Sequence, residues 1–173
     1  MKIITTITLV LICSIHAIAQ QPTMITGISM SLPKGAEKLN KEQLTAFAAD
    51  KKYDIPFIKL NPKNIYRLDN ILLAFYDFKG NYNDDLDQTK TGWDLRYNRN
   101  GSNTNYSSIL KNINNYHVLI KTDINKNSAR YSFYAISKSH KFILNGIVEC
   151  AKSDSDRAIV LLNQILDNVR FED

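Results

Sequence analysis

Three side chains in segment 131–150 belong to types that do chemistry in proteins: a histidine, a carboxylate and a thiol. They are His140, Glu149 and Cys150. Brought together, they would make an active site built on a reactive thiol. The stretch YSFYAISKSHKFILNGIVEC alternates apolar and polar residues, which indicates two strands and a turn. The spacing of the three groups along this hairpin therefore decides whether they can meet.

Strand alternation places the three groups apart. Cys150 shares one face with Phe142 and Leu144, Glu149 falls on the other face, and His140 falls in the turn. A thiol among large apolar side chains has a raised pKa and is unreactive. We therefore predict a sheet centre, with Cys150 in the core, Glu149 at the rim and an exposed His140. A reactive Cys150 is the alternative.

The stretch NYNDDLDQTKTGW contains acidic and amide side chains at alternate positions, as do loops that bind hard cations. The glycine expected at the sixth position of such a loop is Leu86, and the glutamate expected at the twelfth is Gly92. A solvated polar turn is the favoured interpretation, and we predict no metal site.

Histidine with aspartate is the other pair that could serve catalysis. His117 and Asp123 lie on one predicted strand, six residues and thus roughly 20 Å apart. The sequence contains no Gly-x-Ser-x-Gly elbow, Cys-x-x-Cys pair, Walker loop or dinucleotide-binding glycine pattern. We predict no catalytic residues, no cofactor and no enzymatic activity; an unrecognised hydrolase is the least favoured function.

Aromatic residues in the polar segment 80–108 are the best candidates for binding. This segment is rich in Asn, Asp, Gly, Ser and Thr, and long irregular segments of this kind are often binding loops. Aromatic rings offer flat apolar surfaces, and those of Trp and Tyr carry polar tips. An alternative role for the tryptophan is to fold back onto the core. The predicted partner-binding residues are Tyr82, Trp93, Tyr97 and Tyr106.

The elements that would position these residues are mostly antiparallel strands with helices available to cover them. Asn40 and Gln43 form a capping-box pattern at the start of one helix. This composition of elements indicates an α+β fold. The predicted elements are strand 28–32, helix 41–51, an irregular stretch 53–62, strand 71–78, loop 80–108, helix 107–116, strand 117–124, hairpin 131–150 and a last helix capped by Ser153.

The N-terminal segment MKIITTITLVLICSIHAIAQ has the order of a secretory signal peptide: a charge, an apolar run and small residues. We predict a signal peptide over 1–19, cleaved after Ala19, then a flexible lead-in over 20–26 and a single domain over 27–173. Ile12 precedes Cys13 where a lipoprotein needs a small residue, which disfavours lipidation. The expected product is exported, to the periplasm or beyond, and is not membrane-spanning.

The distribution of charged residues indicates which classes of partner to expect. The chain has 22 basic and 17 acidic residues and a net charge of +5, without a run of Lys and Arg. A nucleic-acid-binding protein would show a basic face with interleaved aromatic residues, so nucleic acid is not an expected partner. Weak attraction to anionic envelope surfaces is compatible with this charge.

The segments ISMSLPKGAEKL and RYSFYAISKSHKFILNGIVECAKSDSDRAIVLLNQILDNVRF resemble the PsbP-like superfamily. That superfamily includes the extrinsic P subunit of photosystem II and a Ran-binding nuclear transport factor. The resemblance covers about residues 27–50 and 116–171. It implies an α-β-α sandwich with a central antiparallel sheet, an accessory or binding function and no catalytic residues.

Residues and resemblance together predict an exported, non-enzymatic accessory or binding protein. Its expected partner is an unknown protein or envelope component. The alternative is a carrier or sensor of a small apolar ligand held between sheet and helix.

Overall fold

A seven-stranded antiparallel sheet forms the central layer of the structure, in the order β2-β3-β4-β8-β7-β6-β5. The computed structural model describes residue 22 and the ranges 24–51, 64–83, 85–99 and 105–173. Two further strands, β1 and β9, pair as a separate ribbon. The strands are β1 Ile28–Ser29, β2 Glu37–Lys38, β3 Asn64–Leu68, β4 Ile71–Lys79, β5 Asn105–Ile113, β6 Tyr116–Ile124, β7 Ser128–Ser137, β8 Phe142–Ala151 and β9 Arg170–Phe171.

Helices cover both faces of this sheet. They are α1 Lys41–Lys51, α2 Leu86–Arg99 and α3 Ser155–Asn168, and a 3₁₀ turn, Lys152–Asp154, precedes the last. The α3 helix packs on one face of the sheet, and α1 and α2 pack on the other. The predicted α-β-α sandwich is confirmed. No helix within the described ranges is long and apolar enough to cross a membrane.

The main core lies between the sheet and α3, on the face called here the α3 face. Val118, Phe133 and Leu144 are buried there, each from a strand that alternates inward and outward. The Tyr116 hydroxyl donates to the Leu166 carbonyl at 2.6 Å and so ties β6 to α3. Cys150 is fully buried in this core, as predicted, and burial, with the nearby Asp154 and Glu149, raises its pKa to about 12.

The predicted helix over 107–116 is wrong, because those residues form β5 and the turn into β6. Ile109, Ile113 and Tyr116 have a spacing that also suits a helix, which made the local pattern ambiguous. In the structure β5 pairs with β6 along all nine of its residues. Asn114 turns the chain with a φ of 52°, a conformation that asparagine tolerates in a tight hairpin.

The predicted loop over 80–108 is also wrong, since it contains α2 and the start of β5. Asp85 starts the helix: its Oδ1 accepts hydrogen bonds from the N–H groups of Asp87 at 2.8 Å and Gln88 at 3.2 Å. The apolar residues of α2 are few, so its helical period is weak in the sequence. Asp85 and Asp87, in the stretch predicted as a solvated polar turn, therefore form the start of a helix.

The helix termini agree in part with the sequence. The capping box before α1 is confirmed: the Gln43 N–H donates to Asn40 Oδ1 at 2.8 Å, and the Asn40 N–H to Gln43 Oε1 at 2.9 Å. Ser153 is not the cap of α3, because it lies in the 3₁₀ turn and Asp154 occupies the N-cap position.

The N-terminal part of the described chain packs against the core. The alternation predicted for strand 28–32 is present: Ile28, Met30 and Leu32 are buried, although only Ile28–Ser29 pairs with another strand. Within the predicted lead-in, Met24 and Ile25 pack on the core, and the Ile25 N–H donates to Asp77. The predicted signal peptide and the irregular stretch 53–62 lie outside the described residues.

Candidate functional site

Three of the four predicted binding residues hold α2 on the sheet. Trp93 is half-buried and packs against the apolar cluster that α2 forms with β6, β7 and β8. The rings of Tyr97, on α2, and Tyr106, on β5, stack with centroids 3.9 Å apart and planes 9° apart. Trp93 thus packs on the sheet, which is the alternative role stated for it in the sequence analysis. A binding role for these three residues stays a prediction.

Lys121 on β6 lies beneath these rings. Its Nζ is 5.1 Å from the centre of the Tyr97 ring and 5.8 Å from that of Trp93, within the range of a cation–π interaction. The same ammonium group makes a 2.8 Å ion pair with Asp123. Strand alternation explains the arrangement, since residues 121 and 123 point to the same face of β6.

Asp94 links α2 to the edge of the sheet. Its carboxylate accepts hydrogen bonds from Lys90 Nζ at 2.7 Å, Ser108 Oγ at 2.6 Å and the Tyr106 hydroxyl at 2.8 Å. The hydrogen bonds from Lys90, Ser108 and Tyr106 lower the pKa of Asp94 to about 2. Burial raises the pKa of the Tyr106 hydroxyl to about 12. At neutral pH the carboxylate is charged and the tyrosine is protonated, as this set of hydrogen bonds requires.

We expect the docking of α2 to weaken in acid through Asp94. A lowered carboxyl pKa contributes stability above the unfolded value of 3.8, and this contribution is lost as the pH falls towards 2. The protein should therefore be more stable than Asp94→Asn at neutral pH, and the difference should shrink between about pH 4 and pH 2. Urea unfolding, followed by the fluorescence of Trp93, the single tryptophan, measures the stability of the protein and of Asp94→Asn at each pH. A difference that stays constant down to pH 2 would contradict this assignment.

A buried ion pair lies beside the aromatic cluster, on the same face of the sheet. Arg130 on β7 and Glu149 on β8 are directly opposite each other, and Arg130 Nη2 is 3.1 Å from Glu149 Oε1 and 3.2 Å from Oε2. Glu149 is 1% exposed, so its prediction as a rim residue is wrong. The cause is the strand register, which places the guanidinium of Arg130 directly opposite the buried carboxylate and so compensates its burial.

A small charged pocket of about 190 Å³ opens next to this pair. It contains two acidic and two basic side chains, so its charges balance. Asp123 Oδ1 is buried there, without a hydrogen-bond partner among the described residues. The lining residues are Tyr97, Lys121, Asp123, Asn125, Ser128, Arg130 and Glu149.

A larger cleft of about 870 Å³ lies at the other end of α2. The start of α2, the β5–β6 hairpin and the turn between β7 and β8 converge there. Its apolar lining consists of Tyr82, Leu86, Leu110 and Ile136, and its polar lining of Asn83, Asp85, Asp87, Lys111, Asn112, His117 and His140. An apolar floor within a polar rim is the usual composition of a recognition surface.

Backbone hydrogen bonds build one wall of the cleft. The Gly80 N–H donates to the Lys141 carbonyl at 2.9 Å, and the Tyr82 N–H donates to the His140 carbonyl at 3.0 Å. These bonds continue the pairing of β4 with β8 beyond the strand and hold Tyr82 against the turn. His140 has a φ of 58° and is exposed in this turn, as predicted.

Tyr82 is the one predicted binding residue that lines the cleft. The sequence missed Leu110, Ile136 and His117 as cleft residues because three different strands carry them. His117 Nδ1 is 2.6 Å from Asn112 Oδ1, and Asp123, its imagined catalytic partner, pairs with Lys121 instead. Within the described ranges, no group of His, Cys, Asp and Glu side chains could hold a metal ion.

Comparison with solved structures defines the class of the fold. The cyanobacterial PsbP protein CyanoP from Synechocystis sp. PCC 6803 matches with a TM-score of 0.51 and 11% identity, over 90% of this chain and 93% of that chain. The chain therefore has the PsbP-like fold that its sequence resemblance implied. At this identity, the likeness shows the fold alone.

Two further structures match at lower TM-scores. LpqN of Mycobacterium tuberculosis, involved in cell envelope biogenesis, has a TM-score of 0.48 and 12% identity, over 88% of this chain and 90% of that chain. The Ran-binding protein Mog1p of Saccharomyces cerevisiae has a TM-score of 0.44 and 8% identity, over 90% of this chain and 97% of that chain. No family model and no curated protein matches the sequence.

Proposed function

We propose that this chain is an exported, non-enzymatic binding protein that holds a segment of a protein or envelope component in the cleft beside Tyr82. The cleft itself is the observation that carries the proposal. Its volume of about 870 Å³ is large enough for several side chains of a partner. Export is supported by the signal-peptide pattern of residues 1–19.

The composition of the cleft favours a partner with both apolar and polar groups. Leu86, Leu110 and Ile136 offer contacts for apolar side chains, while the rim carries amides, imidazoles, carboxylates and one lysine. A rim of this kind hydrogen-bonds readily to a peptide backbone and its side chains. Among the described residues that line the cleft, none is a serine, threonine or cysteine, so the usual hydroxyl or thiol nucleophiles are not part of this lining.

A site-specific photo-crosslinker tests this proposal in the envelope of the host. Placed at Asp87, which is exposed on the rim of the cleft and lies in α2 and not in β5, it should form one predominant adduct, identified by mass spectrometry. The same crosslinker at Val160 is the control, because Val160 is 55% exposed on α3, across the sheet from the cleft. Equal adducts from both positions would overturn the proposal.

Two substitutions, one just before α2 and one within it, test whether the cleft itself binds the partner. We expect Tyr82→Ala to weaken binding of the captured partner by about tenfold or more, as for a buried aromatic anchor. Leu95→Ala is the matched control, because Leu95 is 52% exposed on the same helix but does not line the cleft. Trp93→Ala is unsuitable, since losing its packing would loosen α2 itself.

The second candidate function is a carrier of a small ligand between sheet and helix. The cleft favours it in one respect: its volume lies within the range of small-molecule pockets, about 300–1,000 Å³. Native mass spectrometry of the purified protein separates the two functions. Extra mass that Tyr82→Ala removes, without a protein adduct from Asp87, would support the carrier.

A further inference from the structure

The two edges of the central sheet differ in how they are protected. At one edge, β2 is only two residues long, Glu37 and Lys38, both charged and both exposed. Short, charged edge strands discourage pairing with another chain. At the other edge, β5 is nine residues long and contains no proline and a single charged residue, Lys111. This second edge lacks the protection that the first one has.

The outer side of β5 presents a regular row of backbone groups. Ile113 and Tyr116 flank a two-residue turn, which makes them a hydrogen-bonded pair. Because such pairs alternate along an antiparallel ladder, the odd-numbered residues of β5 bond to β6. The N–H and C=O groups of Tyr106, Ser108, Leu110 and Asn112 therefore point away from the sheet. In the described part of the chain, no strand pairs with that side of β5.

We propose that β5 pairs with β5 of a second copy of this chain, antiparallel and centred on Ile109. Ile109 is the middle residue of Asn105–Ile113, so this register pairs all nine residues of both strands. In this register the outward-pointing N–H and C=O groups of one copy also lie opposite those of the other copy. Two seven-stranded sheets would then join into one continuous sheet.

The side chains of β5 are self-complementary in this register. Ile109, which is 44% exposed, contacts its own counterpart across the two-fold axis. Lys111 faces Ser107 of the second copy, so the only charge of the strand meets no like charge. On the other face of the sheet, Leu110 lies opposite Ser108 of the second copy. Because β5 can pair with itself in full register without opposing like charges, a second copy is favoured over an unrelated strand.

The dimer extends the proposed function without depending on it. A two-fold axis perpendicular to the sheet at Ile109 places both α2 helices, and both clefts, on the same face of the joined sheet. Asn112, on the rim of one cleft, would lie opposite Tyr106 of the second copy. A partner with two copies of its binding segment could then occupy both clefts at once.

The mass of the protein in solution and one engineered disulfide test the dimer. Light scattering should give twice the mass of one chain. Ile109→Cys, in a Cys13→Ser background, should form an intermolecular disulfide on mild oxidation, because directly opposite non-hydrogen-bonded residues are about 4.5 Å apart at Cα. Ser107→Cys is the matched control, since it faces Lys111 and should not crosslink. Cys150 is buried and cannot interfere.

Charge substitutions test the register. Ile109→Lys places two like charges against each other and should raise the dimer dissociation constant at least about tenfold. Ser107→Lys, which faces Lys111, should also weaken the dimer, and the double variant Ser107→Lys/Lys111→Asp should restore it. Thermal unfolding by circular dichroism checks that each variant is folded.

Three results would overturn the proposal. These are a monomer at micromolar concentrations, a dimer that Ile109→Lys leaves unchanged, and a crosslink from Ser107→Cys instead of Ile109→Cys. Since the cleft and the β5 edge are probed by different variants, failure of the dimer is distinguishable from failure of the proposed binding function.

Discussion

Replacement of Arg130 by methionine is expected to lower the free energy of unfolding by about 3 kcal/mol at neutral pH. The reason is Glu149, which is 1% exposed and lies directly opposite Arg130 in the β7–β8 ladder. Without the guanidinium, a buried carboxylate loses its charged partner, and desolvation is no longer compensated. Urea unfolding at neutral pH measures the loss.

The double variant Arg130→Met/Glu149→Met separates the cost of an orphaned charge from the worth of the pair. Two methionines of similar volume remove both charges, so most of the stability should return. Arg67 provides the control, because its ion pair with Glu37 is exposed and Arg67→Met should change stability by less than about 1 kcal/mol. If Arg130→Met costs as little as Arg67→Met, then water reaches Glu149 and the pair is not buried in solution.

Replacement of Gly146 by alanine is expected to lower the free energy of unfolding by about 2–3 kcal/mol, through overpacking. Gly146 lies opposite Phe133 in the β7–β8 ladder, and an added Cβ would be 2.2 Å from Cε1 and Cζ of its ring. That ring is buried and contacts Phe75, with ring centres 6.4 Å apart, so it has little room to move. Thermal and urea unfolding measure the effect.

Two further variants show whether overpacking is the cause. Gly146→Ala/Phe133→Leu should recover part of the loss, because leucine frees the space that the new methyl group needs. Gly92→Ala, inside α2, meets nothing within 4 Å and should stabilise the protein by about 0.5–1 kcal/mol. A Gly146→Ala protein as stable as the original would show that Phe133 can move aside.

Local sequence signals correctly predicted those elements that are determined by their own side chains. The β7–β8 hairpin follows from strict alternation, and the start of α1 follows from the Asn40–Gln43 capping box. Each of these signals lies within a few residues and depends little on what the rest of the chain does. The same holds for Cys150, whose apolar neighbours on its strand face predict burial.

The errors occur where local preference was weak or ambiguous. The spacing of Ile109 and Ile113 suits one face of a helix as well as one face of an edge strand, and pairing with β6 decides between them. Helix α2 has few apolar residues, and the polar cap Asp85 looked like part of a turn. Tertiary contacts supply most of the free energy that holds such segments, so their own residues are poor predictors.

The sequence by itself determined the α+β class, the central hairpin, the closing helix and the absence of recognisable catalytic motifs, because period and capping act over a few residues. Only the tertiary structure decided where Glu149 finds its charge partner and which residues line the cleft. Leu110, Ile136 and His140 lie on three different segments, and strand register brings them together beside Tyr82. Register is a property of pairs of strands, and no single stretch of sequence encodes it.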